Sequence, residues 1–279
     1  MMLRAYGSLR DSAGSHANVV INSLISRLDG ATVLRTSVVP DDATLLVQWG
    51  FKKTTALASA IDAKIPFVII DLGYFDEYRL DRFSVSINGL HGLSMPLHGV
   101  HDWPARPHPR IQAWREGGDT VVIVGQMPGD AALRGLNVDA WMHKTAQEAV
   151  AAFGKPALKR VHPKMLNDWE PPLPSLDTTF DDTYVYVTYT STAAVQTVLA
   201  GCHTIAQHPA SSAFGITPNR MTRLSMPGRA AWAHELSHRE YSMTDSDDLD
   251  AAAEYIIKGF EQGLGPAALG NVDTKGMRP

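Results

Sequence analysis

The chain has 279 residues, enough for two domains of roughly 100 to 150 residues, and its 44% hydrophobic and 19% charged content excludes extensive disorder. A formal charge of −4 and a pI near 6.2 argue against a general nucleic-acid binder, which needs a clear basic excess. The single cysteine, Cys202, excludes an internal disulfide and fits a reducing compartment; with no apolar signal region and no run of about 20 apolar residues, a cytoplasmic protein without membrane insertion is expected.

In chain order, MMLRAYGS predicts a strand, and a Gly- and Ser-containing loop leads into HANVVINSLISRLDG, whose apolar spacing predicts a helix ending at Gly30. TVLRTSV and ATLLVQWG predict strands, KTTALASAIDAK a helix and PFVIIDLG another strand. From Phe83 to Arg115 periodicity disappears into a Gly-, Pro- and His-rich stretch that predicts loop and the crossing between domains. A second run follows: strand DTVVIVGQMPGD, helix DAWMHKTAQEAVAAFG, strand ALKRVHP, strand TYVYVTY, helix TAAVQTVLAG and strand CHTIAQ. RAAWAHELSHREY and DSDDLDAAAEYIIKGFEQGLG read as helices, the latter with Asp245 or Ser246 as its N-cap. The expected fold is α/β, two Rossmann-like domains facing a cleft. The expected boundaries are 1–110 for the first domain, 111–265 for the second and 266–279 for a tail.

In such folds ligands sit at the carboxyl ends of strands, so the loops after strands are the candidates. One strand of the second half ends in Gly125 and Gln126, and another in Arg160-Val161-His162-Pro163-Lys164. Arg160 and His162 would share a strand face by period two, and an imidazole between two cations can donate to a phosphate oxygen. The third end, Thr190-Ser191-Thr192, runs directly into a helix. Hydroxyls and backbone N–H groups there could hold a phosphate, or Ser191 or Thr192 could simply cap the helix. In the first half, Asp71 ends the apolar run PFVII before Gly73, where a carboxylate could serve as a general base or only cap a turn. His91, His98, His101 and His108 share one loop with Asp102, but their spacing matches no compact ligand set, so no metal is expected. No GxxxxGK[ST], GxSxG or GxGxxG occurs, which argues against P-loop, α/β-hydrolase and ordinary dinucleotide-binding readings.

The segments VVIVGQMPGD, LKRVHP and TYTSTAAVQTVLAGCHTI resemble the nucleotide-sugar-binding domain of GT-B glycosyltransferases, in particular bacterial capsular-polysaccharide and Kdo/sialyl-type transferases. LLVQWG, IDLGYFDEY, SVSINGLHG and RAAWAHELSHREYS resemble the same family more loosely. The resemblance implies a metal-independent transferase that uses a nucleotide-sugar as co-substrate, with no cofactor. It implies that His162 of the His-Pro pair contacts the donor phosphate, that Ser191 and Thr192 supply hydroxyls to it, and that Asp71 is the base for the acceptor hydroxyl. Gly125, Gln126, Arg160, Lys164 and Thr190 would line the same donor site. The family carries two consecutive acidic residues where this chain has Asp71-Leu72.

The acceptor expected is a glycan or a hydroxylated base in phage-type DNA. The latter would face a loose basic region of Arg79, Arg82, His91, His98, His101, Arg106, His108 and Arg110. The alternatives are a non-catalytic nucleotide-sugar-binding scaffold, which Leu72 would permit, and a sugar-nucleotide epimerase, which would need no acceptor.

Overall fold

The computed structural model describes residues 3–9, 15–28, 30–34, 39–51, 55–75, 81–166, 173–221 and 224–263. The chain divides into two compact units: residues 1–107 together with 234–279, and residues 108–233.

The first unit opens with β1 (Ala5–Leu9), α1 (His16–Arg27), β2 (Ala31–Leu34), β3 (Leu45–Trp49), α2 (Thr55–Asp62), β4 (Phe67–Leu72) and β5 (Arg82–Ile87). Ser15 caps α1 by accepting the Asn18 N–H at 3.3 Å, and the helix buries Val20, Ile21, Leu24 and Ile25, spaced to form one stripe. The runs LLV in β3 and FVII in β4 are apolar on both faces because both strands lie inside the sheet.

The second unit contains β6 (Thr120–Val124), α3 (Val138–Phe153), β7 (Ala157–Arg160), β8 (Thr183–Thr188), α4 (Ala193–Leu199) and β9 (Thr204–Ala206), and it takes the first residues of α5 (Ala230–Ser237). Its four strands pair in parallel in the order β7-β6-β8-β9. Alternate residues feed two cores. Val121, Ile123, Val185, Val187 and Ile205 join Val138, Met142 and Ala149 of α3 on one face, while Val122, Val124 and Tyr186 join Ala193 and Cys202 on the other. Asn137 caps α3 by accepting the Ala140 N–H at 3.0 Å, and Gly154, at φ +64°, closes it. Gly201, at φ +81°, is required by a close approach, since a Cβ there would lie 1.9 Å from the Ala113 carbonyl oxygen. Cys202 packs as a small hydrophobe, and burial pushes its thiol up to about 12.

The chain then returns to the first unit as β10 (Glu240–Ser242) and α6 (Ser246–Glu261). β10 pairs antiparallel with β5, completing the order β10-β5-β4-β3-β1-β2, and α6 adds Leu249, Ala252, Ala253, Tyr255 and Ile256 to the core that α1 lines. Asp245 caps α6, as expected, by accepting the N–H groups of Asp247 and Asp248. Among the described residues no helix is long and apolar enough to cross a membrane.

Three expectations change. Residues 82–87 form a strand rather than loop, with Phe83, Val85 and Ile87 packed into the core. The helix expected over residues 229–241 ends at Ser237, and residues 240–242 form a strand. The segment expected to continue the second domain to residue 265 leaves it at His234, because its strand completes the first sheet. The expected tail and the strand residues Arg35 to Val38 lie outside the described residues.

Candidate functional site

In the second unit, Arg160, Val124, Thr188 and Ala206 stand in register across the carboxyl edge of the parallel sheet. From β6 the chain moves to β7 on one side and then to β8 on the other, so the topological switch point lies between the ends of β6 and β8. This is where an open α/β sheet leaves a crevice.

At that point Gln126 and Thr190, both buried, satisfy each other. Gln126 Oε1 accepts the Thr190 N–H at 2.9 Å, and Gln126 Nε2 donates to Thr190 Oγ1 at 2.9 Å. These two side chains join the ends of β6 and β8. Gly125 donates its N–H to the Arg160 carbonyl at 2.8 Å, and a Cβ there would lie 2.7 Å from Met142 Sδ, so its small size lets α3 close against the strand end.

β7 stops at Arg160, so the shared strand face expected for Arg160 and His162 is not formed. Arg160 Nη2 donates to the Pro174 carbonyl at 2.5 Å. His162 instead caps the short 3-10 turn Pro163–Met165, where its Nδ1 accepts the Lys164 N–H at 3.2 Å. With Nδ1 an acceptor, the neutral ring carries its hydrogen on Nε2, which is a donor. The half-buried imidazole is therefore oriented by its own turn, and Lys164 is exposed beside it.

After β8, Ser191 Oγ accepts the Ala193 N–H at 3.2 Å, and the carbonyls of Ser191 and Thr192 take the N–H groups of Ala194 and Val195. The first turn of α4 is thus closed internally, and the open backbone N–H groups expected there are engaged. Thr192 stands at the N-cap position without a side-chain capping bond. Ser191 Oγ, an acceptor toward Ala193, keeps its O–H as a donor.

The fourth strand end was not among the candidates, although the same strand-end rule points to it. β9 runs into Gln207 and His208; Gln207 Oε1 accepts from Trp141 Nε1 at 2.7 Å, and Tyr189 lies between the Trp141 ring at 5.8 Å and the His208 ring at 4.8 Å. This half-buried aromatic group shares the carboxyl edge with His162 and Ser191.

In the first unit Asp71 stands at the end of β4, opposite Ser84 of β5, with its side chain 31% exposed. Asp71 Oδ1 accepts the Leu72 N–H at 2.8 Å, and Oδ2 lies 3.9 Å from His91 Nε2. The turn that follows is held by Glu240, a buried carboxylate that accepts the N–H groups of Tyr74 and Phe75 and an Arg82 Nε–H at 3.3 Å. Beneath it lies Arg239, also buried, which donates to Tyr74 Oη, Ser86 Oγ and the carbonyls of Val85 and His91. Neither Arg239 nor Glu240 was a candidate, since nothing local in the sequence links them to a strand end about 165 residues earlier.

Much of the expected basic region is committed internally. Arg82 pairs with Glu240 and Asp248, Arg106 pairs with Asp248 at 2.5 Å, and His91 is buried. His98, His101, His108 and Arg110 are exposed, and Arg79 lies outside the described residues.

No family model matches the sequence, and no curated protein matches it. Among solved structures the chain is similar to a Thermosulfurimonas dismutans KpsC, beta Kdo 2,4 transferase, with a TM-score of 0.51 and 14% identity over 86% of this chain and 92% of that one. It is similar also to a KpsC beta Kdo 2,7 transferase of the same organism, with a TM-score of 0.53 and 11% identity over 94% of this chain and 100% of that one. At these identities the likeness is one of fold, an α/β fold with one mixed and one all-parallel sheet that resembles those two Kdo transferases.

Proposed function

We propose that the chain is a glycosyltransferase that moves a sugar from a nucleotide-sugar donor to an acceptor hydroxyl. The observation that carries this reading is the carboxyl edge of the second sheet, where His162 is oriented with Nε2–H as a donor, Ser191 keeps an O–H donor, and Arg160 and Lys164 add positive charge. The fold likeness to two Kdo transferases supports reading that edge as the place for a sugar donor.

The reading assigns roles by charge. Cleavage of the bond between sugar and phosphate leaves its electron pair on the departing nucleotide, and donors fixed in advance stabilise that charge. His162 and Ser191 are such donors, with Thr192 beside them, and Arg160 and Lys164 raise the potential. Gln126, Thr190 and Gly125 serve the site by holding the strand ends that carry it. Asp71 takes the proton of the attacking hydroxyl. The acceptor is a glycan hydroxyl rather than a base in DNA, a choice favoured by the internal pairing of Arg82 and Arg106.

The test is a panel of CMP-, UDP- and GDP-linked sugars, each with glycan and hydroxymethylated-DNA acceptors, followed by free nucleotide release and product mass. Release that depends on a glycan acceptor is the expected result. Binding without turnover of any donor would mean a binding scaffold, and an isomerised donor without acceptor an epimerase.

A further inference from the structure

The α3 helix ends at Phe153 and Gly154 turns the chain away toward β7, so the amino ends of β8 and β9 extend past the helix that covers their strands. A cavity of ≈ 560 Å³ lies there, with Phe153, Tyr184, Met221 and Leu224 as half-buried walls and Glu116 and Met226 exposed at its rim. All of these residues belong to the second unit. The cavity is at the amino edge of that sheet, because Tyr184 is the second residue of β8 and His203, which also lines it, precedes β9. The candidate donor site is at the opposite edge, and along β8 alone Tyr184 and Thr188 are roughly 13 Å apart.

His203 is the most buried of the lining residues, 6% exposed, and its ring is stacked on Trp114 with centroids 5.9 Å apart and planes 14° apart. Its Nδ1 is enclosed and has no hydrogen-bond partner among the described residues. Nε2 has none among them either and is not enclosed, so it is the nitrogen that faces the cavity. Burial holds this imidazole below the ordinary histidine range, so at neutral pH the ring is uncharged and offers one N–H and one lone pair. A buried polar group without a partner costs free energy that a ligand can return. The walls say which ligand. The volume is that of a small-molecule site, ring edges and the thioethers of Met221 and Met226 favour an aromatic ring, and the Glu116 carboxylate at the rim disfavours an anion. A hydroxyl both donates and accepts, so it satisfies Nε2 in either tautomer. We propose that this cavity binds a small uncharged phenol, its ring against Phe153, Tyr184 and the two methionines and its hydroxyl on His203 Nε2. The inference does not depend on the reading of the chain as a transferase.

The test uses the full chain with 13C-methyl methionine and 15N histidine, titrated with p-cresol, with toluene, which lacks the hydroxyl, and with p-toluate, the anion on the same ring. p-Cresol should shift the Met221 and Met226 methyl signals and the His203 Nε2 signal, and should bind about tenfold more tightly than toluene, the worth of one hydrogen bond to a group otherwise unpaired. p-Toluate should bind more weakly than p-cresol. His203→Phe keeps a ring against Trp114 and removes the nitrogen, so the preference for p-cresol over toluene should fall to about onefold while toluene still moves the methionine methyls. A preference that survives in folded His203→Phe overturns the assignment. So does p-cresol that leaves the Met221, Met226 and His203 signals of the wild type unmoved up to the solubility limit of toluene, a reading that needs no variant to fold. Self-association of the chain that p-cresol reverses would mean that an aromatic side chain of a second copy fills the cavity, and would overturn the small-molecule assignment.

Discussion

At the scale of single residues, the donor edge depends on a histidine whose tautomer is set by its own turn. His162→Ala removes the Nε2 donor and leaves the Pro163–Met165 turn without its cap. Nucleotide affinity should fall about tenfold to a hundredfold, the worth of one hydrogen bond to a charged group, as read by calorimetry with the nucleotide the wild type binds. Unchanged affinity in a folded variant would remove His162 from the site. Gln126→Ala should act differently. It strands the buried Thr190 N–H and hydroxyl, so a loss of about 1 to 3 kcal/mol in urea unfolding should come with any loss of binding. The sequence named both residues, because strand-end position is legible, but it could not divide ligand contacts from the bonds that hold the edge together. That division depends on which side chains meet across 64 residues.

Another residue-scale effect concerns pH. His238 is buried, and burial, with His234 and the positive charges of Arg106 and Lys258 nearby, lowers it to about 4 from its ordinary 6.5. Between those values the unfolded chain binds a proton that the folded chain refuses, so stability falls as pH drops from about 6.5 toward 4. The loss approaches roughly 3 kcal/mol at the lower end. His238→Phe should flatten that part of the profile, measured as unfolding free energy against pH. A slope equal to that of the wild type would assign it to other groups.

At the scale of elements, the sequence predicted those with one dominant period and missed those made by pairing. The α1, α3 and α6 helices carry clear apolar stripes and side-chain caps, and all three form where expected. RFSVSI alternates apolar and polar residues, but Ser84 and Ser86 are as buried as their neighbours, and the flanking Gly, Pro and His residues obscured the strand. β10 is only three residues long and exists because β5 offers an edge, which no local pattern encodes. α4 was expected to act through its N-terminus, but at seven residues its first turn is closed by Ser191 and Thr192. The Asp245 cap, by contrast, was readable from its position before an acidic first turn. Asp245→Ala should cost about 1 kcal/mol, read as a shift in the thermal midpoint, since its carboxylate accepts two N–H groups of α6.

At the scale of the whole molecule, the composition and the alternation of strands and helices indicated two α/β units, but the second boundary was hidden. A chain that leaves its first unit at His108 and rejoins it at His234 makes the second unit a continuous insertion and the first a discontinuous one. Residues 108–233 contain all four strands of their sheet and the α3 and α4 helices that cover its two faces, so this piece should fold alone and keep the binding edge. Residues 1–107 alone lack β10, Glu240 and Arg239, and they lose the α6 residues Leu249, Ala252, Ala253, Tyr255 and Ile256 from their core. The exposed apolar surface and the turn after β4, left without its carboxylate, should keep that fragment from folding. Dispersed amide NMR signals for 108–233, and collapsed ones for 1–107 that sharpen when residues 234–279 are joined to it through a linker, are the expected pattern. A folded 1–107 fragment would show that the returning segment only decorates a core already complete, and the network around Asp71 would then have to assemble without Arg239.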